Sequence, residues 1–372
     1  MSLRTRQKPT VAMIGGGIFG ATCAIELSNS FAVTLFERDT DLLKGATYAN
    51  HNRHHYGFHY PRSPATIEQC LRSRESFERT YGESVDWDFD NYYCIAGQGS
   101  KTNPEDYVGV MRRFGLEFEV TTAPADIIDA STVALCLRVR EGVYDVLKLR
   151  EIVGRRLAEC DSVEVLLRHM VSSGRLGEDG KKALSITGPD GVFERDFDFV
   201  VNVTYGRTNH FREWFGFEKK KCQFNLQELD VLELPLQRRV GVTVQDGNFP
   251  SLLPIANSRL YLLAHVVESQ LLREVSSHSE PLMSRVSYVE GNWQGVLKAC
   301  QHYLPILRKA TLVRSMFVDR VVDADCLQHD TRLTELKSHG YGCWSIFAAK
   351  VITCVTTSAE LHRTMVEEMA GA

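Results

Sequence analysis

The stretch Thr10 to Glu37, TVAMIGGGIFGATCAIELSNSFAVTLFE, limits the fold of this 372-residue chain more than any other. Thr10 to Ile14 is a short apolar run of the kind a buried parallel strand shows, and Gly15, Gly17 and Gly20 complete G-x-G-x-x-G directly after it. In that spacing Gly15 permits a sharp turn, Gly17 lets backbone N–H groups approach a pyrophosphate, and Gly20 lets the next helix pack closely on the strand. Ile18 and Phe19 open that helix, whose positive dipole end faces the phosphates. Ile18, Ala21 and Ile25 share a helical face, and Phe31 to Phe36 resume an apolar strand that ends at Glu37 and Arg38. A carboxylate at that point accepts hydrogen bonds from ribose hydroxyls and repels a 2′-phosphate. Strand, turn, helix, strand and acid together predict an α/β dinucleotide-binding unit.

At this length two substructures sharing an interface are expected. A hydrophobic share of 44% with 24% charged residues is that of a globular chain, and a net charge of -4 gives no reason to expect nucleic acid as a partner. The ten cysteines form no C-x-x-C pair and no disulfide framework, which fits a reducing cytoplasm. Three glycines break the only apolar run near the amino terminus, so neither a signal peptide nor an integral membrane segment is expected.

Along the chain, Arg38 to Ser63 lacks periodicity and concentrates histidine, asparagine, tyrosine and glycine, as a functional loop on a rigid scaffold does. Ala65 to Tyr81 reads as an amphipathic helix, and Asp86 to Ala96 as a strand closed by a hairpin turn at Gly97 to Lys101. Asn103 and Pro104 start a helix towards Phe114. Leu147 to Leu157 has helical spacing, whereas Val163 to Leu167 and Phe197 to Val203 read as strands. Between Phe224 and Val267, strand-like runs follow one another without helices, which indicates an antiparallel sheet. Gly340 to Leu361 reads as a glycine turn that becomes a helix near Lys350.

Four separated stretches resemble the FAD-dependent oxidoreductases of the D-amino-acid oxidase superfamily, particularly the branch of 2-hydroxyglutarate and glycerol-3-phosphate dehydrogenases. They are the fingerprint with Glu37; Thr47-x-x-Asn50 followed by His55-x-Gly57 and Tyr60; Asp198 to Gly206, similar to "VVNAAG"; and Ser345 to Thr353, similar to "GGK-x-TT". Tyr205, Ala348 and Ala349 stand where the family has glycine. The resemblance implies a Rossmann-type FAD-binding domain (1–85, 140–215 and 315–372) interleaved with a mainly antiparallel substrate domain (86–139 and 216–314). It implies FAD as cofactor, with Thr47, Asn50, Gly206, Ala349, Lys350 and Val351 joining the fingerprint as contacts; the fingerprint alone leaves NAD open.

Flavin N5 accepts a hydride, so the protein has to hold a substrate C–H over the ring, take a proton from the neighbouring O–H or N–H and stabilise charge. His55 is the expected proton acceptor and Lys350 the expected positive charge at the flavin. His54 is a second candidate, through a covalent link to flavin. His51, His54, His55 and His59 lack a cysteine or carboxylate among them, so no metal site is expected. Arg53, Arg62 and Arg320 are candidates to grip an anionic substrate, with Tyr60 and His265 lining its pocket. The reaction expected is removal of a hydride from a CH–OH carbon of a small polar substrate. Oxidation of a CH–NH bond on the same fold, and a flavin-binding protein without turnover, are the alternatives.

Overall fold

The computed structural model describes residues 8–326 and 330–371. Thr10–Ile14 lies in the middle of a six-stranded sheet in the order Glu335–Ser338, Cys343–Phe347, Phe199–Asn202, Thr10–Ile14, Ala32–Glu37, Val163–Leu167. All of its pairings are parallel except that of Glu335–Ser338 with Cys343–Phe347. A parallel sheet needs both faces covered. One face carries the helices Ile18–Leu27, Pro64–Tyr81, Val146–Ala158 and Cys354–Gly371. Val11, Met13, Val33 and Leu35 meet those helices, whereas Ala12, Ile14 and Phe36 point the other way, into a core with Val171, Leu184, Ile186 and Phe197. These last four belong to an antiparallel sheet of Met170–Leu176, Lys182–Gly188 and Gly191–Phe197.

The helix Pro64–Tyr81 shows how pattern becomes packing. Proline at its first position needs no intrahelical donor. Ile67, Cys70, Ser73, Phe77 and Tyr81 recur at three- and four-residue steps and are fully buried. The helix Pro104–Arg113 starts where expected, with the Asn103 side chain accepting from the Asp106 N–H at 2.8 Å.

A second, nine-stranded and mostly antiparallel sheet is built from Asp90–Ala96, Phe118–Val120, Val133–Val139 and the strands after Cys222. Its spine is Cys222–Glu233, paired along its whole length with Thr311–Asp323. An expected boundary at 315 falls inside that partner strand, which stays with the nine-stranded sheet. Three further local expectations are corrected. Asp90–Ala96 is not half of a hairpin: its antiparallel partner is the distant Val133–Val139, and the turn after Ala96 leads into a helix. The strand expected from Asp86 is broken between Asp86 and Asp90. Cys343–Phe347 is a strand rather than a turn, because its apolar side chains fill the slot beside Phe199–Asn202; the helix expected near Lys350 starts there as a 3-10 turn at Val351–Thr353 and becomes α-helical at Cys354.

Candidate active site

Gly15 has φ +112°, and a Cβ there would lie 2.9 Å from the Val203 carbonyl oxygen. A Cβ on Gly20 would lie 1.8 Å from the Gly15 carbonyl oxygen, inside the turn itself. Gly17 differs, because a Cβ there would meet only Thr47 Oγ1 at 3.5 Å. Space is left open over Gly17, the N-cap of the helix, which has no side chain of its own to cap it. That is the cradle a pyrophosphate fits. Thr47 borders it, accepting from the Ile18 N–H at 3.3 Å. Glu37 closes the other side, accepting from the Gly16 N–H at 2.7 Å and the Asp39 N–H at 2.9 Å. Burial pushes the Glu37 pKa up, and these two hydrogen bonds oppose the shift. Arg38 is exposed beside it.

The loop from Thr47 to Tyr60 is held by its own side chains. Asn50 donates to the Ala46 and Thr47 carbonyls at 2.7 and 3.0 Å, and accepts from the Asn52 N–H at 2.6 Å and the Tyr144 hydroxyl at 2.9 Å. Its side chain serves the loop's shape. Arg53, expected at the substrate, is buried against the nine-stranded sheet. It donates to Thr243 Oγ1 and Ser251 Oγ, both at 2.9 Å, and to the Tyr93 hydroxyl, and it pairs with Glu141 at 3.5 Å. Glu141 also accepts from the Tyr93 hydroxyl and from the Tyr56 N–H at 2.8 Å. Replacing Glu141 with glutamine leaves a buried guanidinium without its counter-charge, and should cost about 3–5 kcal/mol in a chemical-denaturation measurement.

His54 turns away from this loop's open side. Its ring packs on Phe77 and Trp87, and its Nε2 faces Glu78 Oε1 at 3.2 Å. Arg62 is bound to Asp246, 2.5 Å from Nε, with Asp330 at 3.8 Å. His265 closes a turn, its Nδ1 accepting from the Val267 and Glu268 N–H groups at 3.3 and 3.1 Å. None of the three joins the group described next.

His55, His59, Tyr60 and Lys350 lie together. The Lys350 Nζ stands 4.4 Å above the Tyr60 ring, and the His55 and His59 rings lie 5.5 and 5.2 Å from that ring and 6.0 Å from each other. Arg320 acts on this group from Thr311–Asp323. On that strand Arg314, Met316, Val318 and Arg320 share a face, opposite Val231, Leu229, Gln227 and Asn225. Arg314 reaches the loop, donating to the Tyr48 hydroxyl at 3.4 Å. The Arg320 charge lowers the pKa of His51, His55, His59 and Lys350.

Burial is the larger cause in each case. It pushes His51 down to about 3, holds His55 and His59 well below the ordinary imidazole value, and with Arg320 lowers Lys350 to about 7. The three imidazoles are therefore neutral at pH 7. The nitrogens His51 Nε2, His55 Nδ1 and His59 Nδ1 and the Asn52 Oδ1 are closed off from solvent without a hydrogen bond among the described residues. Arg320 makes no ion pair among the described residues. His51, His59 and Asn52 carried no signal of their own beyond sitting within four residues of His55 in an aperiodic loop.

The remaining cofactor candidates lie at two other edges. Gly206 is packed beneath Val321 and Pro281. Its neighbour Tyr205 has φ +54°, the left-handed conformation that glycine takes without strain. The Tyr205 hydroxyl holds it there, bonded to both the N–H and the carbonyl of Val321 at 2.9 Å. Ala349 and Val351 are half-buried around Lys350, and the Ala349 N–H donates to Thr334 Oγ1 at 3.1 Å.

The chain is similar to the FAD-dependent monooxygenase FPY4 of Fusarium mangiferae, 31% identical over 201 residues, which is 53% of this chain and 50% of that protein. It thus spans about half the length of that relative. Glycine oxidase from Geobacillus kaustophilus matches 98% of this chain and 95% of its own, with a TM-score of 0.73 and 15% identity. L-alpha-glycerophosphate oxidase from Mycoplasma pneumoniae, with FAD bound, matches 97% of this chain and 95% of its own, with a TM-score of 0.75 and 12% identity. At such identities the likeness is one of fold. Residues 10–149, which include the fingerprint, Thr47 and the histidine loop, match the DAO family, FAD dependent oxidoreductase, and the cofactor of this chain is FAD.

Proposed function

We propose that this protein is an oxidoreductase that removes a hydride from a CH–OH carbon of a small anionic hydroxy acid. This agrees with the narrower resemblance to the hydroxy-acid and glycerol-phosphate dehydrogenase branch. Bound FAD supplies the hydride acceptor. Gly17 and the open helix start would hold its pyrophosphate, Glu37 its ribose, and the Thr47 and Lys350 segments its ring.

One observation carries the choice of CH–OH: a buried lysine with no ion pair among the described residues, beside neutral imidazoles and within reach of the Arg320 charge. Alcohol oxidation requires a group that takes the hydroxyl proton, and a base with a pKa near the working pH does so best. Lys350, at about 7, meets that requirement, while His55 orients the hydroxyl as a neutral hydrogen-bonding partner. Arg320 binds the substrate's anionic group. The same cationic surroundings work against an amino substrate, which enters as an ammonium ion.

Anaerobic mixing of the holoprotein with matched 2-hydroxy and 2-amino acids, followed by flavin absorbance, tests this reading. Bleaching by hydroxy acids is expected, and bleaching confined to amino acids would reverse the choice. Flavin that resists every donor would leave a binding protein without turnover. Arg320→Met is expected to raise KM for an anionic substrate roughly ten- to hundred-fold, the worth of one charged hydrogen-bonded contact, and to leave KM for a neutral alcohol unchanged.

A further inference from the structure

In the nine-stranded sheet Cys94 and Cys136, 42 residues apart in the chain, stand directly opposite each other on the antiparallel strands Asp90–Ala96 and Val133–Val139. The Cys136 carbonyl accepts from the Thr121 N–H at 3.0 Å, so its backbone polar groups point away from Cys94, towards the other side of its strand. A pair that exchanges no backbone hydrogen bonds brings its side chains closest, with Cα atoms about 4.5 Å apart, inside the roughly 4.4–6.8 Å that a disulfide spans. The side chains use that closeness. The Cys94 thiol donates to Cys136 Sγ at 3.4 Å, and both residues are buried on the face that holds Tyr92, Ile127 and Ile128. Cys222 and Cys343, the other described cysteines on strands, face no cysteine across their ladders. On the opposite face of the same strand, the Tyr93 hydroxyl accepts from Arg53.

We propose that Cys94 and Cys136 are a dithiol that hydrogen peroxide closes to a disulfide, bracing the strand that presents Tyr93 to Arg53. Cys136 reacts first. It keeps 4% of its surface exposed against none for Cys94. The hydrogen it accepts from Cys94 lowers its pKa, while donating that hydrogen, together with burial, holds the Cys94 thiol well above its ordinary value. Cys136 Sγ attacks one peroxide oxygen, the O–O bond breaks, and a sulfenic acid forms as one water leaves. Cys94 Sγ then attacks Cys136 Sγ, the S–O bond breaks, and the oxygen departs with the Cys94 proton as a second water. Two thiols are oxidised and one peroxide is reduced to two waters. A rotation of either side chain about its Cα–Cβ bond brings the sulfurs to the bonded distance of about 2.0 Å. The oxidant enters beneath residues 121–129, which form neither helix nor strand over this face and open more readily than the sheet below them.

The experiment exposes the folded, FAD-loaded protein to graded hydrogen peroxide, removes the excess, unfolds and alkylates it without reductant, and maps its peptides by mass spectrometry. A peptide pair joined through Cys94 and Cys136 is expected, at peroxide concentrations that leave the other cysteines open to alkylation. The oxidised protein is expected to melt roughly 5 °C higher than the reduced one, the effect of closing a loop of this length in a chain of this size, and dithiothreitol should reverse the gain. In Cys94→Ala the resolving thiol is gone, so dimedone should trap the sulfenic acid on Cys136. Should that variant fail to fold, the unmodified protein still decides the matter. Peroxide-treated protein in which Cys94 and Cys136 both remain alkylated, or in which Cys136 goes on to a sulfinic acid without linking, overturns the proposal. So does a linked protein that melts no higher than the reduced one, because the bond then braces nothing.

Discussion

Replacing Lys350 with methionine is expected to lower kcat/KM for the hydroxy-acid substrate by about two to four orders of magnitude, the range over which a positioned proton acceptor acts. Methionine keeps the length and apolar stem and discards the amine. Only the neutral amine accepts a proton, and its pKa is lowered to about 7. In the unmodified protein kcat/KM should therefore fall about ten-fold per pH unit below 7 and level off above it; in the Lys350→Met protein that limb should vanish. A limb that survives the substitution would move the proton acceptor elsewhere. Stability gives a second readout with a definite sign. The unfolded chain holds the lysine proton up to about pH 10.4, whereas the folded chain releases it near 7. Between those values the unfolded state binds more protons, so the fold weakens as pH drops from 10 towards 7. Lys350→Met should remove that slope from melting curves of the apoprotein and melt higher than the unmodified chain at pH 7.

The second large effect separates two glycines of one motif. Gly17→Leu should yield a folded protein without flavin absorbance, because a Cβ at this position has no backbone within 4 Å and the side chain grows from the open space beside Thr47. Gly20→Ala adds far fewer atoms and should do more damage to the fold. Its methyl group would sit 1.8 Å from the Gly15 carbonyl oxygen, and backbone cannot rotate away as a side chain can. Thermal melting and the visible spectrum of the two purified variants check this together. A Gly17→Leu protein that keeps its flavin, or a Gly20→Ala protein that melts like the parent, would contradict the assignment of one glycine to the ligand and the other to packing.

Much of the first half of the fold was legible because its determinants are local. A strand, a turn and a helix between Thr10 and Leu27 need only neighbouring residues to declare themselves, and the helices Pro64–Tyr81 and Pro104–Arg113 each open on a proline and carry an apolar stripe, the second with Asn103 as its cap. The long strand Thr311–Asp323 was harder, since its side chains alternate only between two half-buried faces. It is defined by a partner some ninety residues earlier in the chain. Cys343–Phe347 is buried throughout, and periodicity cannot tell such a run from a turn entering a helix.

The sequence by itself determined the nucleotide-binding turn, the acid at the end of the next strand and the concentration of histidines after Thr47, because spacing along the chain is enough to specify each. Only the tertiary structure decided what the charged residues do. Arg53 and Arg320 are the same residue type, and nothing near either one in sequence distinguishes them. Arg53 is consumed by Tyr93, Glu141, Thr243 and Ser251, drawn from three distant strands and a connecting segment. Arg320 has no ion pair among the described residues, and from the strand face it shares with Arg314, Met316 and Val318 its charge acts on Lys350 and the histidine loop. His54 and His55 are neighbours, yet one packs on Phe77 and the other on Tyr60. Pairing and burial belong to the folded chain, and they separate the side chains that hold this protein together from those left open for chemistry.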